Sequence, residues 1–400
     1  MTSHERRLRG VGIVIAGGGL AAQRAVEAFR RNGHEGTIHL VSDEAVAPYD
    51  RPPLSKEYLA GGIDEAALRF RGDDWYRDRD VELLLGERAA GLDVAARELT
   101  LASGARLPFS QLLIATGSRP RRLPRTERFS NVHELRSIAD ARRLRTALHP
   151  DARVVVIGAG FIGQEVASTA RAAGAHVTVI EAAPAPLAAV LGVELGGWFA
   201  RLHRDEGIDV HVSARITDLH GRDGVNAIEL DDGRRIDCDL VVVGIGTVPA
   251  TAWLAGSGLD DDGIPVDAAG RTRAPSVYAA GDAAKHFDAR FGAHTRTEHW
   301  EAAARQGAAA ARAMLGLDVP PASTPSFWSD QHGIRIQYIG HAHGADEVLI
   351  DGDPDARDFT ATFADNGRTI GALLVGRPHA LAEIRRQIEH STHPSESEAA

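Results

Sequence analysis

Two segments, far apart in the chain, repeat one pattern. VGIVIAGGGLAAQRAVEAFRRNG (residues 11–33) and ARVVVIGAGFIGQEVASTARAAG (152–174) each read as an apolar strand, a glycine-rich turn and a helix. Each is followed by a strand that ends in acid, TIHLVSDE (37–44) and AHVTVIEAAP (175–184). Alternation of this kind builds parallel sheets. The expected class is therefore α/β, with two Rossmann-like dinucleotide-binding domains. RTRAPSVYAAGDAA (271–284) reads as a closing strand of the first unit, so the second unit is inserted in the first.

After about Pro320 the pattern changes. SFWSDQHGIRIQYIG, EVLIDG and FTATFADNGRTIGALLVG read as strands of a small antiparallel sheet, with Asp365-Asn366-Gly367 as a hairpin turn. RPHALAEIRRQIEH then places Leu381, Ile384 and Ile388 on one helical face, and STHPSESEAA is expected to fray. The expected boundaries are 1–113 with 246–320 for the outer dinucleotide domain, 114–245 for the inserted one, and 321–400 for a C-terminal α/β interface domain.

The glycine turns carry the first chemistry. Gly158, Gly160 and Gly163 fit G-x-G-x-x-G: the first permits a tight turn, the second lets the backbone approach a pyrophosphate, and the third packs helix on strand. The amino-terminal copy has Gly17 and Gly19, with Ala22 as a small substitute in third place. Leu20, Phe161 and Ile162, inside the two motifs, join the candidate binding set. Such a turn can exist without a ligand, but two of them, each followed by an acid-ended strand, favour cofactors. Asp43, with Glu44 as a close rival, and Glu181 are the expected partners of adenosine ribose hydroxyls. EAAPAPLAAVLGVE (181–194) offers no arginine for a 2′-phosphate, so NADH is favoured over NADPH at the second turn.

Composition removes other classes. The 400 residues are 44% hydrophobic and 25% charged, enough apolar material for two or three cored domains. A net charge of -10 opposes wholesale nucleic-acid binding. ERRLRGVGIVIAGGG imitates a secretory leader, yet its apolar run is short and leads into Gln23 and Arg24, so it reads as a strand. No apolar stretch has the length of a bilayer span, and no membrane role is expected. The single cysteine, Cys238, excludes an intrachain disulfide or dithiol, fits a reducing, cytoplasmic location, and reads as a buried structural thiol. Eighteen histidines invite a metal site, but HAHG (341–344) lacks a ligand framework and none is expected.

Two dinucleotide sites imply one resident and one exchanging cofactor, between which a hydride moves. Here the sequence resembles the FAD-dependent ferredoxin reductases, with a more distant likeness to apoptosis-inducing factor. The resemblance rests on RPPLSKEYLAG, LLIATGSRPRRLP, the two glycine turns, VYAAGDAA, RTEHWEAAARQG and FWSDQHGIRIQYIG, in the family's order over nearly the whole chain. It implies FAD in the outer domain and NADH in the inserted one.

The resemblance also implies residue roles. Asp282 matches the acid at the ribityl and pyrophosphate part of FAD, and Lys56 the lysine beside the reactive edge of the flavin. Pro52 and Pro53 fix the backbone ahead of Lys56, so that its ammonium can face charge accumulating on the reduced ring. Glu165 matches the partner of that lysine. Arg136 resembles an arginine that reaches FAD phosphate, Ala21 and Ala89 match backbone contacts, and Arg51, Ala115 and Gly246 complete the candidate cofactor contacts. His299 and Trp300 stand where several members carry Val-Pro against the flavin; His299 either meets the pyrimidine edge or is a core histidine held by a backbone carbonyl. Trp328 resembles a tryptophan at the flavin's exposed edge, or is a plain core aromatic.

The activity implied is NADH:ferredoxin oxidoreduction, serving an oxygenase such as a cytochrome P450 or an aromatic-ring dioxygenase. The expected partner is a small acidic iron-sulfur ferredoxin, steered by a basic patch that includes Arg305 and Arg312; the chain is a monomer or homodimer. The alternatives are an NADH oxidase or quinone reductase with no protein acceptor, and a redox-sensing flavoprotein like apoptosis-inducing factor.

Overall fold

A computed structural model describes residues 12–259, 262–288, 293–321 and 323–392. They form two compact units. One comprises the described parts of Met1–Asp50, Ala66–Arg119 and Val248–Pro325; the other, those of Arg51–Glu65, Pro120–Thr247 and Ser326–Ala400.

In the first unit, strands Val81–Leu85, Ile38–Ser42, Gly12–Ala16 and Arg106–Ile114 lie side by side in parallel. Val277–Ala279 joins Arg106–Ile114, also in parallel, so the late segment does close the first sheet. Valine, isoleucine and leucine dominate these strands because both faces of a parallel sheet are buried. On one face Ala22, Ala25 and Phe29 of helix Leu20–Arg31 share a core with Ala310, Ala311 and Met314 of helix Trp300–Met314. Gly307 permits that approach: a Cβ there would stand 2.0 Å from the carbonyl oxygen of Ala21.

The second unit contains a parallel sheet ordered Asp209–His211, His176–Ile180, Arg153–Ile157, Leu240–Val243 and Val132–Glu134. Cys238 is buried in its core, and burial pushes the thiol up to about 11, as suits an inert structural side chain. The same unit holds the antiparallel sheet Ser326–Gln331, Ile334–Gly340, Arg368–Val375, Asp358–Asp365 and Glu347–Asp353. Asn366 and Gly367, both at positive φ, make its hairpin turn. Trp198 and Phe199 of helix Ala188–Asp205 pack on one side of the sheet with Phe359, Phe363 and Leu373. Ile384 and Ile388 of helix Leu381–Thr392 pack on the other with Ile339 and Leu374, with Leu381 beside them as the spacing requires. The fraying expected of STHPSESEAA falls mainly beyond Thr392, outside the described residues.

The chain is thus α/β, with two dinucleotide-type sheets and a C-terminal antiparallel sheet. Among the described residues no helix is long and apolar enough to cross a membrane.

Candidate functional site

Each glycine turn combines a close approach within the protein and an open face. Gly17 (φ 125) and Gly158 (φ 98) have backbone that favours glycine, and a Cβ would come within 2.0 Å of the Ala115 oxygen in one case and 2.4 Å of the Gly244 oxygen in the other. Gly163 is required for a different reason. A Cβ there would lie 2.2 Å from the Gly158 oxygen, which would push helix Phe161–Ala172 off its own turn. Ala22 fills the corresponding place in the first turn and is fully buried.

Gly19 and Gly160 cap their helices, and a Cβ at either would meet nothing within 4 Å. No neighbouring atom among the described residues demands glycine at either position, so each turn leaves open space beside its helix cap. No side chain caps either helix, so first-turn amides of Leu20–Arg31 and Phe161–Ala172 form anion sites of the kind a pyrophosphate uses. Both cradles fit a dinucleotide. Leu20 and Ala21 lie on the first turn's helix; on the second, Phe161 is half-buried against Phe199 and Phe327, while Ile162 remains 43% exposed.

The strand-terminal acids behave differently. Asp43 is exposed just past Ile38–Ser42, whereas the half-buried Glu44 accepts a 2.6 Å hydrogen bond from the Tyr49 hydroxyl. Glu181 accepts from the Ala159 amide at 2.7 Å and the Ala183 amide at 2.8 Å. It therefore braces the glycine turn, and each oxygen keeps acceptor capacity for a ribose hydroxyl.

Also in the first unit, Asp282 accepts from the Ser118 hydroxyl at 2.8 Å. Ala89 and Ala115 are buried in the first unit. Trp300 donates its indole N–H to Asp50 at 2.7 Å, beneath the Arg24 guanidinium. His299 caps helix Trp300–Met314; burial lowers its pKa to about 4, against the opposing pull of Asp282 and Glu301, so it is neutral near pH 7. On that helix Arg305 pairs with Glu301, and Arg312 donates to the Asp318 carbonyl and the Asn32 side chain.

In the second unit the short 3-10 turn Pro52–Ser55 leads to Lys56. Its prolines need no amide partners, and the Thr169 hydroxyl holds the Ser55 carbonyl at 2.7 Å. Lys56 Nζ then reaches Glu165 Oε2 at 3.0 Å, with the side chains 10% and 7% exposed. The same oxygen accepts from the Ser55 hydroxyl at 2.5 Å, while Oε1 accepts from Ser329 at 2.8 Å. A carboxylate withdrawn from water is thus given three donors, the condition under which a buried ion pair is tolerated. Arg51 donates to the Arg136 carbonyl at 2.6 Å, and the Arg136 amide donates to Asp140, which caps the following helix with Ser137. Gly246 (φ 96) accepts a backbone bond from Arg121. Trp328 is half-buried, with the Arg335 guanidinium 5.8 Å from its ring.

Two groups of residues went unseen in the sequence. Ser55, Ser329 and Gln331 complete the surroundings of Glu165; the signal available was only that they lie inside RPPLSK and FWSDQ. The second is a hydrogen-bonded chain ending at the glycine turn. Gln164 donates to the Ala159 carbonyl, so its oxygen accepts from His203 Nε2 at 3.0 Å. His203 Nδ1 must then accept from His332 Nε2 at 2.9 Å, and Ser168 faces His332 Nδ1 at 3.4 Å. With both rings neutral, every ring nitrogen of the chain has a donor or acceptor partner. Burial, then repulsion from His332, lowers the pKa of His203 to about 3, and burial lowers that of His332. Among the described residues no cluster could hold a metal ion.

Comparison with known proteins gives a consistent likeness. Residues 11–307 match the family model described as pyridine nucleotide-disulphide oxidoreductase, and residues 326–400 the model described as reductase C-terminal. The ferredoxin–NAD(+) reductase component of the biphenyl dioxygenase system of Paraburkholderia xenovorans (strain LB400) is 40% identical over 343 residues, covering 85% of this chain and 84% of that protein. The corresponding component of the anthranilate 1,2-dioxygenase system of Burkholderia cepacia is 36% identical over 390 residues, covering 97% and 96%. Putidaredoxin reductase, solved in covalent complex with putidaredoxin, superposes with a TM-score of 0.91 at 32% identity, covering 96% of this chain and 93% of that one.

Proposed function

Since the chain belongs to the pyridine nucleotide-disulphide oxidoreductase family, among its FAD-dependent ferredoxin reductases, we propose that it oxidises NADH and reduces a ferredoxin that serves an oxygenase. The observation that carries this reading is the pair of helix-capping glycines, Gly19 and Gly160, each open on the side from which a pyrophosphate would come. FAD, when bound, supplies the conversion of a two-electron hydride donor into single-electron delivery.

The chain's own residues bind, orient and balance charge. Gly17, Gly19, Leu20, Ala21, Ala22, Asp43, Ala89, Ala115, Asp282, His299 and Trp300 are the residues we assign to FAD. Gly158, Gly160, Phe161, Ile162, Gly163, Glu181 and Gly246 are those we assign to NADH. Glu181 does two tasks in this scheme, bracing the turn through the Ala159 amide and meeting the ribose. Lys56 offers a fixed ammonium to negative charge that develops during hydride transfer, and Glu165 keeps that ammonium oriented. Arg51, Arg136 and Trp328 complete the assignment.

Despite the disulphide in the family's description, dithiol exchange within one chain is excluded, because the sequence has one cysteine and it is buried. The ferredoxin partner is taken to be small and acidic, the location cytoplasmic, and the protein a monomer or homodimer. Ferredoxin-dependent cytochrome c reduction by NADH tests the reading. Saturable, salt-sensitive rates are expected; rates independent of added ferredoxin would favour an NADH oxidase or quinone reductase.

A further inference from the structure

Resting on the assignment of Lys56 and Glu165 to hydride transfer, we propose that Ser329, directed by Gln331, is a positioning residue for that pair. The C-terminal sheet would then supply a hydroxyl that fixes the Glu165 carboxylate and, through it, the Lys56 ammonium.

Strand Ser326–Gln331 presents alternate residues to one face, and Phe327, Ser329 and Gln331 share it. Phe327 meets Phe161 on helix Phe161–Ala172 at a ring distance of 4.6 Å, so this face lies against the helix that carries Glu165. Ser329 and Gln331 are both buried. The Glu165 carboxylate, paired with Lys56, can only accept hydrogen bonds. Ser329 has one proton, and at 2.8 Å from Oε1 that proton belongs to Glu165. Its oxygen must then accept, which it does from Gln331 Nε2 at 3.0 Å. The relay therefore has one direction: amide to hydroxyl to carboxylate.

Among the described residues, the geometry gives Ser329 a task that no other donor performs. Ser55 and Lys56, neighbours on one turn, both bond Oε2. A carboxylate held through one oxygen can still rotate, because its terminal torsion is broad and nearly two-fold. Ser329 holds the second oxygen and fixes the plane. Without it, Oε2 and the ammonium that follows it lose their fixed direction.

The chain contains only two lysines, Lys56 and Lys285, which makes a direct test available. Lysine labelled with 15N and 13C gives two side-chain ammonium signals, and Lys285→Arg identifies that of Lys56. Wild type, Ser329→Ala and Ser329→Thr are compared without FAD and as holoenzyme. In Ser329→Ala the Lys56 ammonium signal should shift and its proton exchange accelerate about tenfold, the loss of one buried hydrogen bond, with Ser329→Thr restoring both. Anaerobic reduction of the holoenzyme by NADH should slow about tenfold, with the NADH concentration for half-maximal rate within about twofold of wild type. Gln331→Met, which keeps the serine and removes the amide that directs it, should displace the signal in the same sense and serves where Ser329→Ala does not fold. An unchanged Lys56 signal in the variants would overturn the proposal. A shifted signal with unimpaired reduction would uphold the contact and overturn instead the assignment of the pair to hydride transfer.

Discussion

Glu165 and Lys56, 109 residues apart in sequence, form a 3.0 Å ion pair that is almost wholly removed from water. The two partners are not equally provided for. If Lys56 is lost, Glu165 keeps two serine hydroxyls; if Glu165 is lost, Lys56 is left without the carboxylate that compensates its burial. Glu165→Ala is therefore expected to cost about 3–5 kcal/mol of stability, and Lys56→Met, which keeps the apolar stem, about 1–2 kcal/mol. Urea denaturation of both variants checks the order, which would be reversed or absent if the pair were solvated.

The second glycine turn separates folding from binding. Gly163→Ala places a methyl 2.2 Å from a backbone oxygen and should destabilise the protein by about 1–3 kcal/mol. Gly160→Ala meets nothing within 4 Å at an ordinary φ of -73, and the poorer N-cap is offset by the lower entropy of the unfolded chain, so stability should change by less than about 1 kcal/mol. NADH affinity should nevertheless fall at least tenfold, because the methyl occupies the approach of the pyrophosphate. Thermal unfolding and NADH titration of the two variants distinguish these outcomes.

Glu181→Ala removes an acceptor from two backbone amides and, on the assignment proposed above, from the NADH ribose. The Michaelis constant for NADH should rise about tenfold or more, with flavin content unchanged, since each lost bond is worth about 1 kcal/mol. Steady-state kinetics with absorbance-based flavin quantification would measure both.

The parts of this design that depend on local pattern were legible in the sequence. Apolar strands, glycine turns and acid-ended strands announced both parallel sheets, and the spacing of Ile384 and Ile388 announced the last helix's buried face. What could not be read was the meeting of distant small polar residues. Ser55 and Ser329 are ordinary serines until the fold brings both to Glu165, a relation with no periodicity to betray it. The same holds for His203, which looks like one of eighteen histidines and proves to be a buried link, through Gln164, to the second glycine turn. Glu181 is legible as an acid at a strand end, but its bond to the Ala159 amide arises only where the fold brings two successive strands of the sheet side by side.

His203 also sets a pH dependence. Its pKa is lowered to about 3 in the folded chain from 6.5, and the side chain is 1% exposed. Between these values the unfolded chain binds a proton that the folded one refuses, so stability falls as the pH drops below about 6.5 and the loss is complete near 3. The slope from this group is at most about 1.4 kcal/mol per pH unit. His286 and His299, both lowered to about 4 by burial, act in the same direction. Urea midpoints at pH 7.5 and 5.5 should show the decline. His203→Leu should be less stable at pH 7.5, having unpaired Gln164 and His332, yet show a shallower slope.

Anaerobic titration of the purified protein with NADH, followed by addition of an oxidised iron-sulfur ferredoxin, tests the central claim most directly. A yellow protein whose visible flavin absorption is bleached by NADH and restored as the ferredoxin becomes reduced is the expected result. A colourless protein that takes up no FAD, or a flavin that NADH leaves oxidised, would contradict it.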